Sequence, residues 1–164
     1  MLSLSRVKAG LSRTGLVVCL CATGVAAPLA ARTLDASDPI GIAEYLRDQG
    51  YRAQVGRDSY DDPMIETAAA GVNYSIYFYG CSDNRDCQDL QFSAGFDIDG
   101  RISPEGINTW NREKLTGKAY VDDEGDPFLE LFIPGVTDMR EAAFDRTLAR
   151  WTSSLEDFLD FIDW

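Results

Sequence analysis

The stretch from Val72 to Phe96 constrains the fold more than any other part of the chain. Along Val72-Asn73-Tyr74-Ser75-Ile76-Tyr77-Phe78-Tyr79 the even positions are Val, Tyr, Ile and Phe, and along Leu90-Gln91-Phe92-Ser93-Ala94-Gly95-Phe96 they are Leu, Phe, Ala and Phe. A period of two with one apolar face predicts two half-buried antiparallel strands. Cys81 and Cys87 lie between them. If the two cysteines stand opposite each other, Phe78 faces Leu90, Ile76 faces Phe92, Tyr74 faces Ala94 and Val72 faces Phe96. A slip of one residue would turn the two apolar sets to opposite faces, so the cysteine register and the hydrophobic register agree. A Cys81–Cys87 disulfide closing this hairpin is expected on its more polar face, near Tyr77, Tyr79, Asp89 and Gln91.

The start of the chain bears on whether those cysteines pair. Met1 to Thr14 carries Arg6, Lys8 and Arg13 and no acid, and Gly15 to Ala27 is an uncharged, mostly apolar run with small residues after it. This is the pattern of a secretory signal peptide over residues 1–31, and the run is too short to cross a bilayer, which takes about 20 residues. The alternatives are an uncleaved anchor or a buried helix. Cleavage fits after Ala26 or after Ala31, and Cys19 is a poor match to a lipoprotein signal because Val18 precedes it. Export to the periplasm or beyond would favour the disulfide.

The 164 residues include 15 basic and 27 acidic ones and no histidine. Removal of residues 1–31 takes away three basic residues and no acid, leaving 12 against 27 and a net charge of −15. Such a field repels phosphate backbones and anionic membranes, so nucleic acid is not an expected partner. The absence of histidine excludes Ser-His-Asp and Cys-His catalysis and imidazole-ligated zinc.

Residues 32–37 read as a frayed linker and 38–164 as one domain. Ser37 or Asp38 can cap a helix starting at Pro39, with Ile40, Ile42, Ala43, Tyr45 and Leu46 as its apolar side and Gly50 as its end. Short strands are predicted around 52–56 and 64–70. After the central hairpin, Ser103-Pro104-Glu105 starts a second helix, with Ile107, Trp110 and Leu115 on its buried side and Gly117 as its stop. Lys118 to Asp122 and Phe128 to Ile133 form a second hairpin around Asp123-Glu124-Gly125. Asp138 with Glu141 is a capping-box variant opening a final helix, whose stripe is Phe144, Leu148, Trp151, Leu155, Phe158 and Ile162. The expected class is α+β, an antiparallel sheet with three helices in the order α-β-β-β-β-α-β-β-α. No internal repeat is read.

Few residues carry chemistry. Asp97-x-Asp99-Gly100 fails as a calcium loop because Arg101 occupies the next ligand position. Asp122, Asp123, Glu124 and Asp126 read as a solvated turn, and Ser82, Ser93 and Ser103 have no histidine base. Tyr74, Tyr77, Tyr79, Trp110 and Trp151 are candidates for either core or a ligand groove.

Several separated segments resemble the exported branch of the YbjN family: Tyr77-Phe78-Tyr79-Gly80-Cys81…Cys87…Leu90-Gln91-Phe92…Gly95-Phe96-Asp97, Ile107-Asn108-Thr109-Trp110-Asn111-Arg112-Glu113, and Ala119-Tyr120-Val121-Asp122-Asp123-Glu124-Gly125-Asp126-Pro127. The aromatic final helix matches too, so the resemblance spans about Asp38 to Ile162. The family is named for bacterial sensory transduction regulation. The resemblance implies a fold similar to type III secretion chaperones, which are dimers that bind extended client segments, and it supplies no catalytic residue.

The expectation is therefore a non-enzymatic periplasmic binding or regulatory module without cofactor or metal. Its partner would be a protein or peptide segment or a second copy, held near Tyr77, Tyr79, Trp110 and Asn111. The alternative is a small-ligand or cation-binding protein using the acidic turns and tyrosines.

Overall fold

The computed structural model describes residues 32–98 and 102–164. The expected signal segment 1–31 and part of the Asp97-x-Asp99-Gly100 turn lie outside the described residues. Asp38 accepts a hydrogen bond from the Gly41 N–H at 2.9 Å and opens α1 (Pro39–Asp48), with proline at the first helical position where no N–H is needed. Gly50, at φ +88°, reverses the chain into β2 (Ala53–Arg57). β3 (Pro63–Ala69) and β4 (Val72–Tyr79) are joined by Ala70 and Gly71, both at positive φ, as the twist of a two-residue hairpin demands. β5 (Asp89–Gly95) completes the run. Ser103 caps α2 (Pro104–Glu113), then come β6 (Lys118–Val121), β7 (Pro127–Ile133) and α3 (Glu141–Ile162). This matches the expected α+β class and element order.

β2, β3, β4, β5, β7 and β6 lie side by side in that order in one antiparallel sheet. One face meets α1, α2 and α3. Ile65, Ile76, Phe78, Leu90, Phe92 and Leu129 project from the strands into the same core as Ile42 and Leu46 of α1, Trp110 of α2 and the whole predicted stripe of α3. The packing is aromatic: Trp151 lies 5.4 Å from Tyr74 and 5.7 Å from Phe92, and Phe158 lies 4.8 Å from Trp110.

The central hairpin has the expected register, with Phe78 opposite Leu90 and Ile76 opposite Phe92. Cys81 and Cys87 are disulfide-bonded. Phe96 departs from the pattern, because its N–H bonds to Pro127 of β7 and not to β4. The bridge is not on the polar face: Cys87 is 3 % exposed and belongs to the core. Gly80 and Asp86, both at positive φ, take the chain out of the strands between them, so the alternation that ordered β4 and β5 no longer applies.

Four other expectations are corrected. Residues 32–37 are not a frayed linker: Thr33–Leu34 (here β1) pairs with Met139–Arg140 (β8), and Leu34 and Ala36 are buried. That pairing displaces the expected cap of α3. Asp138 sits at φ +48° to carry the chain into β8, and Arg140 precedes the helix with no side-chain cap. Tertiary pairing has overridden a local signal. Leu115 is fully exposed because α2 ends at Glu113 and Lys114 is extended, which breaks the helical spacing. Ile40, 61 % exposed, lies off the buried side of α1.

Candidate functional site

Among the described residues, the opposite face of the sheet carries no helix. Its residues follow from strand parity: in register across β3, β4, β5 and β7 stand Met64, Tyr77, Gln91 and Phe132. One row along stand Glu66, Ser75, Ser93 and Glu130. Phe132 and Tyr79 are 51 % and 42 % exposed and meet edge-on with ring centroids 6.5 Å apart. Such rings give an amphipathic contact surface at low entropic cost. Towards β6, Phe128 stacks on Tyr120 at 5.2 Å and covers Gly95, where a Cβ would come within 2.5 Å of the ring. Glycine is needed there to let Phe128 lie flat on the sheet.

Glu130 anchors this corner. It accepts the Tyr120 hydroxyl at 3.1 Å and pairs with Lys118 at 3.1 Å. Burial, reinforced by the Glu130 carboxylate, pushes the Tyr120 phenol up to about 12. Burial and the same carboxylate also raise Tyr79. Towards β2 the face dips into a concavity of about 420 Å³ lined by Arg52, Gln54, Glu66, Asn73, Ser75 and Tyr77 among others. Arg52 donates to Asn73 across it. Among the described residues no group of three acidic or cysteine side chains is placed to hold a metal ion. Asp122 spends a carboxylate oxygen on the N–H groups of Glu124 and Asp126, and Asp126 accepts the Ile98 N–H.

Of the four residues expected at a partner surface, Tyr77 and Tyr79 lie on this open face. Trp110 and Asn111 do not join them. Trp110 is 1 % exposed, its indole N–H donates to the Gly117 carbonyl at 3.2 Å, and Lys114 lies 5.3 Å over its ring. Asn111 turns its amide to β6, donating to the Ala119 carbonyl at 2.9 Å and accepting the Ala119 N–H at 2.8 Å. Tyr74 and Trp151 are core residues as well, so the five aromatics do not form one groove. Phe128, Tyr120 and Phe132 join this face beyond the residues expected there. The signal was present in Phe128-Leu129-Glu130-Leu131-Phe132-Ile133, where period two puts aromatics on the face that solvent should hold.

No helix among the described residues is long and apolar enough to cross a membrane. No curated protein matches the chain. A family model does, over residues 39–164, which is α1 to the last residue, and its description is "Putative bacterial sensory transduction regulator". With the match covering most of the sequence, the chain belongs to the YbjN family.

Proposed function

We propose that the chain is an exported, non-enzymatic regulatory module whose uncovered sheet face holds a segment of a partner protein. The observation that carries this reading is the exposed Tyr79–Phe132 pair on a sheet whose other face is fully used by the core. Large apolar rings left in water on a rigid scaffold mark an interaction surface. The basic and then apolar start of the sequence and the Cys81–Cys87 disulfide support an oxidising compartment outside the cytoplasm. The absence of histidine from the whole chain, and the engagement of the acidic turn by its own backbone, support a binding role over a catalytic one.

A photo-crosslinking residue placed at Phe132, compared with one at Leu115 on the far side of the fold, tests this in intact cells. The expected result is a discrete adduct from position 132 that is lost on Tyr79→Asp. No adduct, or the same adducts from both positions, would overturn it.

The concavity beside Arg52 and Glu66 supports a second reading, a small polar ligand on the same face. The cation version of that reading is tested by calorimetry with calcium, where absence of heat and of a melting shift removes it.

A further inference from the structure

The two outer strands of the sheet end it differently, and the hydrogen-bond parity says how. At β6 the Asp122 N–H bonds to the Asp126 carbonyl at 2.9 Å, which makes Val121 and Pro127 a pair that exchanges no hydrogen bonds. Alternation then turns the N–H and C=O of Ala119 outward as well. Asn111 takes both of them. At β2 the Asp58 N–H bonds to the Asp62 carbonyl at 2.9 Å, so Arg57 and Pro63 are such a pair, as suits a proline with no N–H to give. Ala53, Val55 and Arg57 therefore all direct their backbone groups out of the sheet.

The guanidinium of Arg47 takes the Ala53 carbonyl at 2.9 Å. The Ala53 N–H and both backbone groups of Val55 and Arg57 have no partner among the described residues. The Val55 side chain is 39 % exposed beside them. An edge of this kind is a template for another strand.

We propose that β2 is where the chain takes up an extended, cationic segment of another protein as an added strand. Charge selects this occupant. With 12 basic against 27 acidic residues from 32 onward, the module attracts a cationic strand and repels a second copy of itself. The carboxylates nearest that edge are Asp58, Asp61 and Asp62 in the turn at the end of β2, where Asp61 pairs with Arg57 at 3.7 Å. The proposal rests on the reading of the chain as a module that holds a protein segment, and it places that segment's backbone.

Amide hydrogen exchange at 0.15 M salt tests it, with a synthetic decapeptide of alternating lysine and valine as the probe and its glutamate–valine counterpart as the control. In the free protein the Val55 and Arg57 amides should exchange fast and those of Gln54 and Gly56 slowly. Saturating lysine–valine peptide should slow Val55 and Arg57 at least tenfold, while the glutamate peptide leaves them unchanged. Val55→Pro should weaken peptide binding at least tenfold with an unchanged melting temperature. The proposal is overturned if neither amide is slowed, if both peptides protect alike, or if Val55→Pro binds as well as the parent. Protection that rises with protein concentration and without peptide would also overturn it, by making a second copy the occupant. An adduct at position 132 that persists in Val55→Pro would sink the β2 edge while leaving the module reading standing.

Discussion

The segments Asp38–Ala69 and Ser103–Ile133 are built on one plan, and comparing them explains why the backbone of Ala119 at one sheet edge is hydrogen-bonded and that of Val55 at the other is not. Each begins with a capping residue and a proline, runs a ten-residue helix, reverses at a glycine or just after one, and forms a hairpin whose outer strand lies at a sheet edge. Each hairpin turns on an aspartate that accepts two backbone N–H groups: Asp58 from Tyr60 and Asp62, and Asp122 from Glu124 and Asp126. A residue at positive φ follows in each, Asp61 or Gly125, and then an Asp-Pro pair. Each helix also sends one aromatic ring to α3, with Tyr45 5.9 Å from Phe144 and Trp110 4.8 Å from Phe158. The difference lies one residue further on. Asn111 in the second unit reaches the edge strand with an amide. The equivalent residue of the first, counted from the cap, is Leu46, fully buried in the core. A leucine can pack there but cannot accept or donate, so the Val55 backbone stays unpaired, and Arg47 reaches only the Ala53 carbonyl.

The largest expected effect comes from detaching the helix that closes β6. Trp110→Ala removes a fully buried ring and its hydrogen bond to Gly117, which should cost about 3–5 kcal/mol in urea denaturation. The Ala119 amide should also begin to exchange as fast as Val55. A loss below about 1 kcal/mol would mean that Asn111 alone holds α2 against the edge.

Next in size is the disulfide, which lies in the sequence between the two units. Reducing Cys81–Cys87 reopens a short loop and should cost about 2 kcal/mol on the chain-entropy account. Exchange should quicken between Gly80 and Gln88, and the amides of β2 and β6 should be unchanged. Faster exchange at either edge would show that the bridge stiffens the whole sheet.

The repeated plan was hidden in the sequence for a physical reason. What the units share is turn chemistry and caps: Pro39 and Pro104, Gly41 and Gly106, Asp58 and Asp122, Asp62 and Asp126, Pro63 and Pro127. These few positions fix backbone conformation, while the residues between them adapt to different neighbours. The central hairpin and α3 were legible because one buried face imposes a period that a reader can count. The cap of α3 was not, because Asp138 is governed by the pairing of β8 with β1, over 100 residues away in the chain. The candidate face was half legible. Tyr77 and Tyr79 share strand β4 and follow from its parity, but their partner Phe132 arrives only through the β5–β7 pairing.

Asn111→Leu gives the second unit the residue of the first. It should cost about 1–2 kcal/mol for two lost hydrogen bonds and leave the Ala119 backbone as open as that of Val55. Faster Ala119 exchange with little loss of stability would sharpen the comparison. Unchanged exchange would break it.

The corner around Tyr120 adds a pH dependence to the closed edge that β2, which has no tyrosine, does not share. Burial and Glu130, followed by Asp122, hold the Tyr120 phenol protonated to about 12 in the folded state, against about 10 in an unfolded chain. The folded state then keeps more protons than the unfolded one between those values, so stability falls as pH rises from 10 to 12. Alkaline titration should loosen the β6 amides before those of Gln54 and Gly56, and Tyr120→Phe should remove that order.

The smallest expected effect is the most discriminating. Proline at Val55 deletes an N–H that points out of the sheet, so the β2–β3 ladder loses nothing and stability should change by less than about 0.5 kcal/mol. Proline one residue earlier, at Gln54, deletes an N–H that the ladder uses and leaves the Glu66 carbonyl short of a donor, which should cost about 1–3 kcal/mol. Neighbouring positions in one exposed strand, given the same substitution, should differ at least about twofold in folding equilibrium. If they do not, the parity assigned from the Asp58–Asp62 bond is wrong. The outward groups would then belong to Gln54 and Gly56, and the contrast with the Asn111-closed edge would have to be redrawn.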